Sequence, residues 1–438
     1  MKKLEQTLGF YTPAFFKIYI KTVNPIDPKQ LSEKEQATFI HEYTHFIQDF
    51  TTLYGLSNTL NIFDTLRLFV NQIYNTRKIQ LPLVCLHPTL SLNSEIRSRS
   101  WGSHLSYNPI MSVKNVQIEK TPFPSHVVNE HPQLANFRRV VMEIKTHNQC
   151  VKIEFGSLAI MESMAHLMEK FLTPKYVTQS PDYPYNIAQK LVSHICPQLS
   201  DDEIIFALCD IALQTSMPGV AFLEMLQIIH NKKTPEPIYN ADDVYACFNE
   251  QFNTWHNATE IANVVYQAKE HLSTLVQGPI GFQYQKWVDN IINKAIELRT
   301  RRPAFLLDII RGGNIQHNTV FWNFVNEIGT PLLTNSVGVM TKIPMSGIGF
   351  SPINVDVEFF QAIDYIFSLF SQGRIECPLQ NWCEASGISI DANCIINPPA
   401  HSDLTKYTRF CPVGALWHQW NLGKYAIHAP ILFRQICK

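Results

Sequence analysis

The chain is short of charge, and what charge it has nearly cancels. Of its 438 residues 17% are charged, with a formal net charge of -1 at pH 7. A balance this even exerts no global pull on a polyanion, so nucleic acid is not an expected partner. Two short basic clusters, Arg97 with Arg99 and Arg299 with Arg301 and Arg302, lack the interleaved aromatics of a single-strand groove and read as solvated faces. Long apolar runs are missing too: no uninterrupted segment reaches the ~18 residues of a membrane span. The opening residues Met1-Lys2-Lys3-Leu4-Glu5-Gln6 have no apolar run behind their lysines and do not resemble a secretory signal. The expectation is a cytoplasmic protein with no membrane partner, whose ten cysteines are reduced rather than paired. No internal repeat of fixed period is present.

Apolar residues are plentiful, at 45%, and the length exceeds one ordinary core, so two or three packed units are expected. Phe15 to Val23 alternates apolar and polar residues and stops at Asn24-Pro25, which predicts a strand. Ser32 with Glu35 forms a capping box, and helical periodicity then runs from Ala37 through Phe39, Ile40, Phe46, Ile47, Phe50 and Leu53 to Gly55, read as a C′ glycine. Leu81 to Leu86 reads as a strand. Arg139 to Lys145 and Cys150 to Phe155 read as a hairpin around Thr146-His147-Asn148-Gln149, and Leu158 to Phe171 as a helix. Strands followed by a helix, twice, make this part α+β.

After the Pro-rich stretch Thr173 to Pro184 the pattern turns helical. Ser200 with Glu203 forms a second capping box, and helical periodicity recurs in 203–215, 218–231, 241–274, 284–300 and 355–371. The expected organisation is a catalytic unit over 1–175, a helical domain over 176–375 and a Cys-rich segment over 376–438.

Within the capped helix lies His41-Glu42-Tyr43-Thr44-His45. The four-residue spacing puts both imidazoles on one face, one turn apart, where two nitrogens can reach one metal ion. Glu42 is angled to the same side and can hydrogen-bond a metal-activated water as general base. The uncharged, largely apolar flanks Thr38-Phe39-Ile40 and Phe46-Ile47 complete a pattern that resembles the extended signature of the zincin metallopeptidases. That resemblance implies a zincin-like unit of small sheet and active-site helix, one catalytic Zn²⁺, and hydrolysis of peptide bonds in a protein substrate.

A catalytic zinc site needs a third protein ligand. A metzincin would carry Gly at 48 and His at 51, where this chain has Gln48 and Thr51. The chain instead resembles the gluzincins, whose third ligand is a glutamate on a later helix. Glu162 is the candidate, as the only acidic residue between Phe155 and Met168, where an isolated carboxylate is costly unless paired or metal-bound. Glu169 and Glu154 are its alternatives. His166, one turn on, is placed to hydrogen-bond a ligand. Arg311 and His317, in a polar loop, are candidates for a cleft wall.

Cys377, Cys383, Cys394 and Cys411 cluster near the end, Cys377 and Cys411 each before a proline. Four thiolates suit a second, structural zinc, although the spacing lacks the tight knuckles of zinc ribbons. A cytoplasmic protease with no visible pro-segment is expected to be restricted by substrate recognition or an activating partner protein. Two other readings stay open: a zinc hydrolase of a non-peptide amide or ester, and a non-catalytic helical binding or scaffold protein.

Overall fold

The computed structural model describes residues 8–84, 96–102, 110, 112–146, 150–176, 180–231, 237–251, 254–276, 279–345, 357–373, 376–385 and 411–428. The chain opens with strands β1 (Gly9–Thr12) and β2 (Lys17–Ile20), then helices α1 (Glu33–Thr51) and α2 (Leu53–Thr76) and the short strand β3 (Ile79–Gln80). Next come β4 (Asn115–Pro122), helix α3 (Ser125–Glu130), β5 (Arg138–Lys145) and β6 (Cys150–Phe155), leading into α4 (Ser157–Leu172). A helical run follows: α5 (Asp182–Tyr185), α6 (Ile187–Ile195), α7 (Asp202–Leu213), α8 (Pro218–His230), α9 (Ala241–Gln251), α10 (Thr254–Leu275), α11 (Pro279–Arg301), α12 (Phe305–Arg311) and α13 (Thr319–Ile328). Strands β7 (Leu332–Thr334) and β8 (Met340–Thr341), helices α14 (Val357–Gln372), α15 (Gln380–Ala385) and α16 (Pro412–Gln419), and strand β9 (Ile427–His428) complete the described elements. The class is α+β.

The sheet beside α1 draws on both ends of the chain. β1 and β2 pair antiparallel, Gly9 opposite Ile20, and β2 then pairs parallel with β7, Lys17 opposite Leu332. β8 closes the other edge, giving the order β1-β2-β7-β8. β4, β5 and β6 form a separate antiparallel meander. Along β5, Val140, Met142 and Ile144 are buried on one face while Arg139, Val141 and Glu143 on the other are half-buried and Lys145 is exposed, so from Arg139 onward the alternation seen in the sequence is the alternation of the two sheet faces.

Helix α1 starts as its capping box predicts: the Glu35 amide donates to Ser32 Oγ, and the Ser32 amide donates to the Glu35 carboxylate. From Phe39 onward nearly every side chain is buried, because α1 is covered by α2, α4, α11 and the β1–β2 hairpin. Its buried polar groups are paired: Gln36 donates to the Pro28 carbonyl, Thr44 to the Ile40 carbonyl and the Tyr43 hydroxyl to the Gly329 carbonyl.

Several sequence expectations need correction. The helix does not run on to a C′ glycine at Gly55; it breaks at Thr52, which is extended (ψ 150) and caps α2 by accepting from the Gly55 amide. Thr51 and Thr52 each donate back four residues, to the Ile47 and Gln48 carbonyls, the local competition that makes threonine a helix ender. Gly55 is needed for another reason: a Cβ there would lie 2.5 Å from Asp49 Cα, so α2 crosses α1 at backbone contact. The cap of α7 is Asp201, which accepts from the Glu203 and Ile204 amides, rather than Ser200. Of the strand expected over Leu81 to Leu86, residues 85 and 86 lie outside the described residues and 81–84 are not strand; the ladder there is Ile79–Gln80, just before Pro82, which has no amide to give.

Arg299, read from sequence as part of a solvated face, is largely withdrawn from solvent, its side chain 11% exposed. Its guanidinium clasps both oxygens of fully buried Asp210 (2.6 and 2.7 Å) and donates to the Thr51 carbonyl at the end of α1, while Tyr245 donates to the same carboxylate. The cation thus sits at the negative end of the α1 dipole. Arg301 and Arg302 are exposed, as expected.

Candidate metal centre

Two helices build the site. Helix α1 presents His41 and His45 one turn apart, their rings 5.0 Å between centroids and close to perpendicular. Helix α4, packed against α1, presents Glu162. Glu162 Oε2 lies 3.1 Å from His41 Nε2 and 3.7 Å from His45 Nε2, so one carboxylate oxygen meets the same nitrogen of both rings. His41, His45 and Glu162 form a group that could hold a metal ion, with all three ligand atoms within 4.8 Å of one another.

The far nitrogen of each ring is committed elsewhere, and this settles which nitrogen is available. The Gln48 side-chain amide donates to the Met161 carbonyl at 3.1 Å, an acceptor only, so its oxygen must be the end facing His45. His45 Nδ1, 2.8 Å from that oxygen, therefore carries the proton. His41 Nδ1 lies 3.4 Å from Glu169 Oε2, a carboxylate two turns beyond Glu162 on α4. With both Nδ1 atoms committed as donors, the two Nε2 atoms face the Glu162 oxygen and are the nitrogens left to bind a metal ion in place of their protons.

Electrostatics follow from four titratable side chains packed out of water. Burial raises the Glu162 carboxyl, but the His45 charge and hydrogen bonds from His41 and His45 outweigh it and hold the group well below the usual carboxylate range. Glu169 behaves likewise, held down to about 2 against burial by His166 and His41. Burial pushes the imidazoles down, yet Glu162 and Glu169 hold His41 well above its ordinary value, and Glu162 holds His45 above its own. Protons on the imidazoles thus occupy the place that a divalent cation would take.

Glu42 stands apart from these three. Burial raises its carboxyl, and the Tyr11 backbone amide donates to it. That contact brings β1 alongside α1 so closely that a Cβ on Gly9 would lie 2.5 Å from Thr38 Cγ2 and 3.2 Å from Glu42 Cγ. The hairpin is pinned there by buried Asp49, which accepts from the Tyr11 hydroxyl (2.9 Å) and the Ala14 amide (2.8 Å) and supports Ala14 in its left-handed conformation (φ 62).

Tyr185, on α5, closes the opposite side. Its ring lies 5.8 Å from His41 and 5.9 Å from His166. Burial, then the Glu162, Glu42 and Glu169 charges, hold its phenol well above the normal range, so it remains a hydrogen-bond donor at neutral pH.

The structure therefore brings together His41, Glu42, His45 and Glu162. His166 is close by, but its Nδ1 faces Glu169 at 3.8 Å and so supports the carboxylate behind His41. Of the alternatives to Glu162, Glu154 is engaged by Arg99 and Arg139 on the β5–β6 hairpin. Arg311 is bound to Glu203 and Asp242, and His317 is exposed, so neither forms the expected cleft wall; the same loop instead reaches the first turn of α1 through Gln316 and Gln36. Cys394 lies outside the described residues; among the described residues, Cys377, Cys383 and Cys411 form no metal-binding group. Sequence reasoning missed Gln48 and Tyr185: the first reads as an ordinary polar helix residue, the second sits in a Pro-rich stretch without periodicity.

The chain matches no family model, no curated protein and no solved structure. Among the described residues no helix is long and apolar enough to cross a membrane.

Proposed function

We propose that this chain is a zinc-dependent metallopeptidase of the zincin class, gluzincin-like in taking its third ligand from a second helix. The observation that carries the reading is the convergence of both Nε2 atoms on Glu162 Oε2. Tetrahedral zinc with bonds of ~2.0–2.1 Å spaces its ligand atoms about 3.3 Å apart, and the separations of 3.1 and 3.7 Å bracket that value. Two imidazoles and one carboxylate are also a catalytic rather than a structural zinc set, since they leave a coordination position open.

Zinc held by His41, His45 and Glu162 would supply a Lewis acid that polarises a carbonyl and makes a water nucleophilic near neutral pH. Glu42 takes the proton of the attacking water and returns it to the leaving amine; its burial keeps the carboxyl basic enough to do both. Tyr185, neutral and packed against His41, donates a hydrogen bond to the oxyanion that develops on the carbonyl. Glu169 and Gln48 hold the two imidazoles in the tautomer the site requires.

A peptide is favoured over a compact amide or ester by strand β1. Among the described residues β1 is paired on one side only, and its Tyr11 amide already reaches Glu42, so an extended chain added along that edge would pass the general base. The test combines metal content by mass spectrometry of the wild type, His41→Ala and Glu162→Ala with hydrolysis of peptides of graded length by the wild type and Glu42→Gln. One zinc per chain lost in both ligand variants, with cleavage that rises with peptide length and vanishes in Glu42→Gln, is expected. A wild type that takes up no zinc on reconstitution would sink the reading; length-independent cleavage would replace the peptide with a smaller amide or ester.

A further inference from the structure

Ser163 follows Glu162 on α4 and is fully buried. A serine inside a helix commonly turns its hydroxyl back to its own backbone. This one does not: its single proton goes across to the Pro184 carbonyl at 3.1 Å, and its oxygen accepts from the Ala188 amide at 3.4 Å.

These two groups flank Tyr185. The Pro184 carbonyl belongs to the peptide plane that enters Tyr185, and a planar peptide held at its oxygen is oriented at both of its Cα atoms. The Ala188 amide lies in the first turn of α6, where the N-cap Asn186 supplies no side-chain acceptor, so Ser163 caps α6 from another helix. Tyr185 thus sits between two backbone groups fixed by one hydroxyl, with its ring 5.8 Å from His41 and 5.9 Å from His166. Other bonds tie the same turn to the chain entering β4: the Val113 amide donates to the Asp182 carboxylate at 2.7 Å, and Tyr183 pairs with Ile110 backbone to backbone. Ser163 ties it to the helix that bears Glu162.

We infer that Ser163 is a positioning residue for Tyr185, keeping that ring in register with Glu162, its own neighbour on α4. The geometry stands on the two hydrogen bonds; the kinetic consequence rests on the peptidase reading proposed above. Without the hydroxyl the peptide plane before Tyr185 is free to turn, and the ring moves relative to His41 while Glu162 stays on its helix. A displacement on the order of 1 Å can lower a rate by about 10²-fold.

The test uses the full chain loaded with zinc and compares the wild type, Ser163→Ala, Tyr185→Phe and the double variant. Ser163→Ala should keep one zinc, leave KM within about twofold and lower kcat by roughly tenfold, and it should add no further loss in the Tyr185→Phe background. If Ser163→Ala fails to fold, Ser163→Cys, close in size and a weak donor and acceptor, should show the same split at smaller amplitude. A second readout needs neither zinc nor substrate: in fluorotyrosine-labelled protein, the fluorine resonance of Tyr185, identified by its loss in Tyr185→Phe, should move in Ser163→Ala. A moved resonance in a chain that cleaves no peptide would keep the positioning role and remove the peptidase reading. An unmoved resonance, a wild-type kcat, a loss that multiplies fully with that of Tyr185→Phe, or loss of zinc in Ser163→Ala would each overturn the inference.

Discussion

Gln48 holds His45 by its Nδ1 at 2.8 Å, and the other end of the same amide holds the Met161 carbonyl, one residue before Glu162. One neutral side chain thus sets the tautomer of His45 on α1 and the height of Glu162 on α4. Gln48→Leu is expected to weaken zinc binding by about 10- to 100-fold, and Gln48→Glu, which can accept from His45 but cannot donate to Met161, to recover only part. Chelator-competition titration measures both; affinities equal to the wild type would show that the bridge positions nothing.

Zinc binding should release protons. With His41 and His45 both held above the ordinary imidazole value in the metal-free site, each proton must leave before its nitrogen can ligate. Affinity therefore rises with pH through the neutral range and falls below it, by about tenfold per pH unit for each proton displaced. Calorimetry in two buffers of different ionisation enthalpy counts the protons; a pH-independent affinity between pH 6 and 8 would contradict the assignment.

Glu42→Gln and Tyr185→Phe separate binding from chemistry. Both should retain zinc. Glu42→Gln is expected to lower kcat by about 10²- to 10⁴-fold, and Tyr185→Phe by about 10²-fold with KM little changed. A Tyr185→Phe variant with full kcat would return the oxyanion role to another group.

The convergence of His41 and His45 was legible in the sequence, because a four-residue spacing on a capped helix puts two side chains on one face. Glu162 was legible for a different reason: a lone carboxylate in an apolar helix has to be explained. What surrounds them was not. Gln48 and Tyr185 act across pairs of elements whose contact no local pattern records, Glu169 stood out only as a substitute for Glu162, and strand β1, four residues long like β2, has no apolar–polar alternation to announce it. Arg299 shows the converse, a cation in a basic cluster that burial against Asp210 turns into part of the framework.

Arg299→Ala is accordingly a stability variant. It strands the fully buried Asp210 carboxylate and uncaps Thr51, and is expected to destabilise the protein by about 3–5 kcal/mol. Adding Asp210→Asn should restore much of that loss, which urea unfolding of the four proteins in a double-mutant cycle would show. Additive losses would mean the two side chains act separately.

Asp49 links the hairpin to pH. Burial comes first among its influences and raises its carboxyl from 3.8 to about 6, despite hydrogen bonds from Ala14 and Tyr11. A folded-state pKa above the unfolded one means that the native protein holds the proton more tightly. The resulting stabilisation is complete below about pH 4 and is lost as pH rises toward 6. Asp49→Asn keeps an acceptor for both donors without titrating. Relative to the wild type it should gain up to roughly 3 kcal/mol between pH 4 and 7, read from urea unfolding with chelator present. A constant difference across that range would rule the linkage out.

The parallel pairing of β2 with β7 has a temporal meaning. Ile18 accepts a hydrogen bond from Thr334, 316 residues further along the chain. Helices α1 and α4 leave the ribosome long before that partner exists. The N-terminal hairpin that carries Tyr11 to Glu42 therefore waits, with one sheet edge unfilled and a large loop-closure entropy still unpaid, until most of the chain has been synthesised. Assembly of the surroundings of Glu42 is in this sense a late event in the life of the nascent polypeptide, although its residues are among the first to be made.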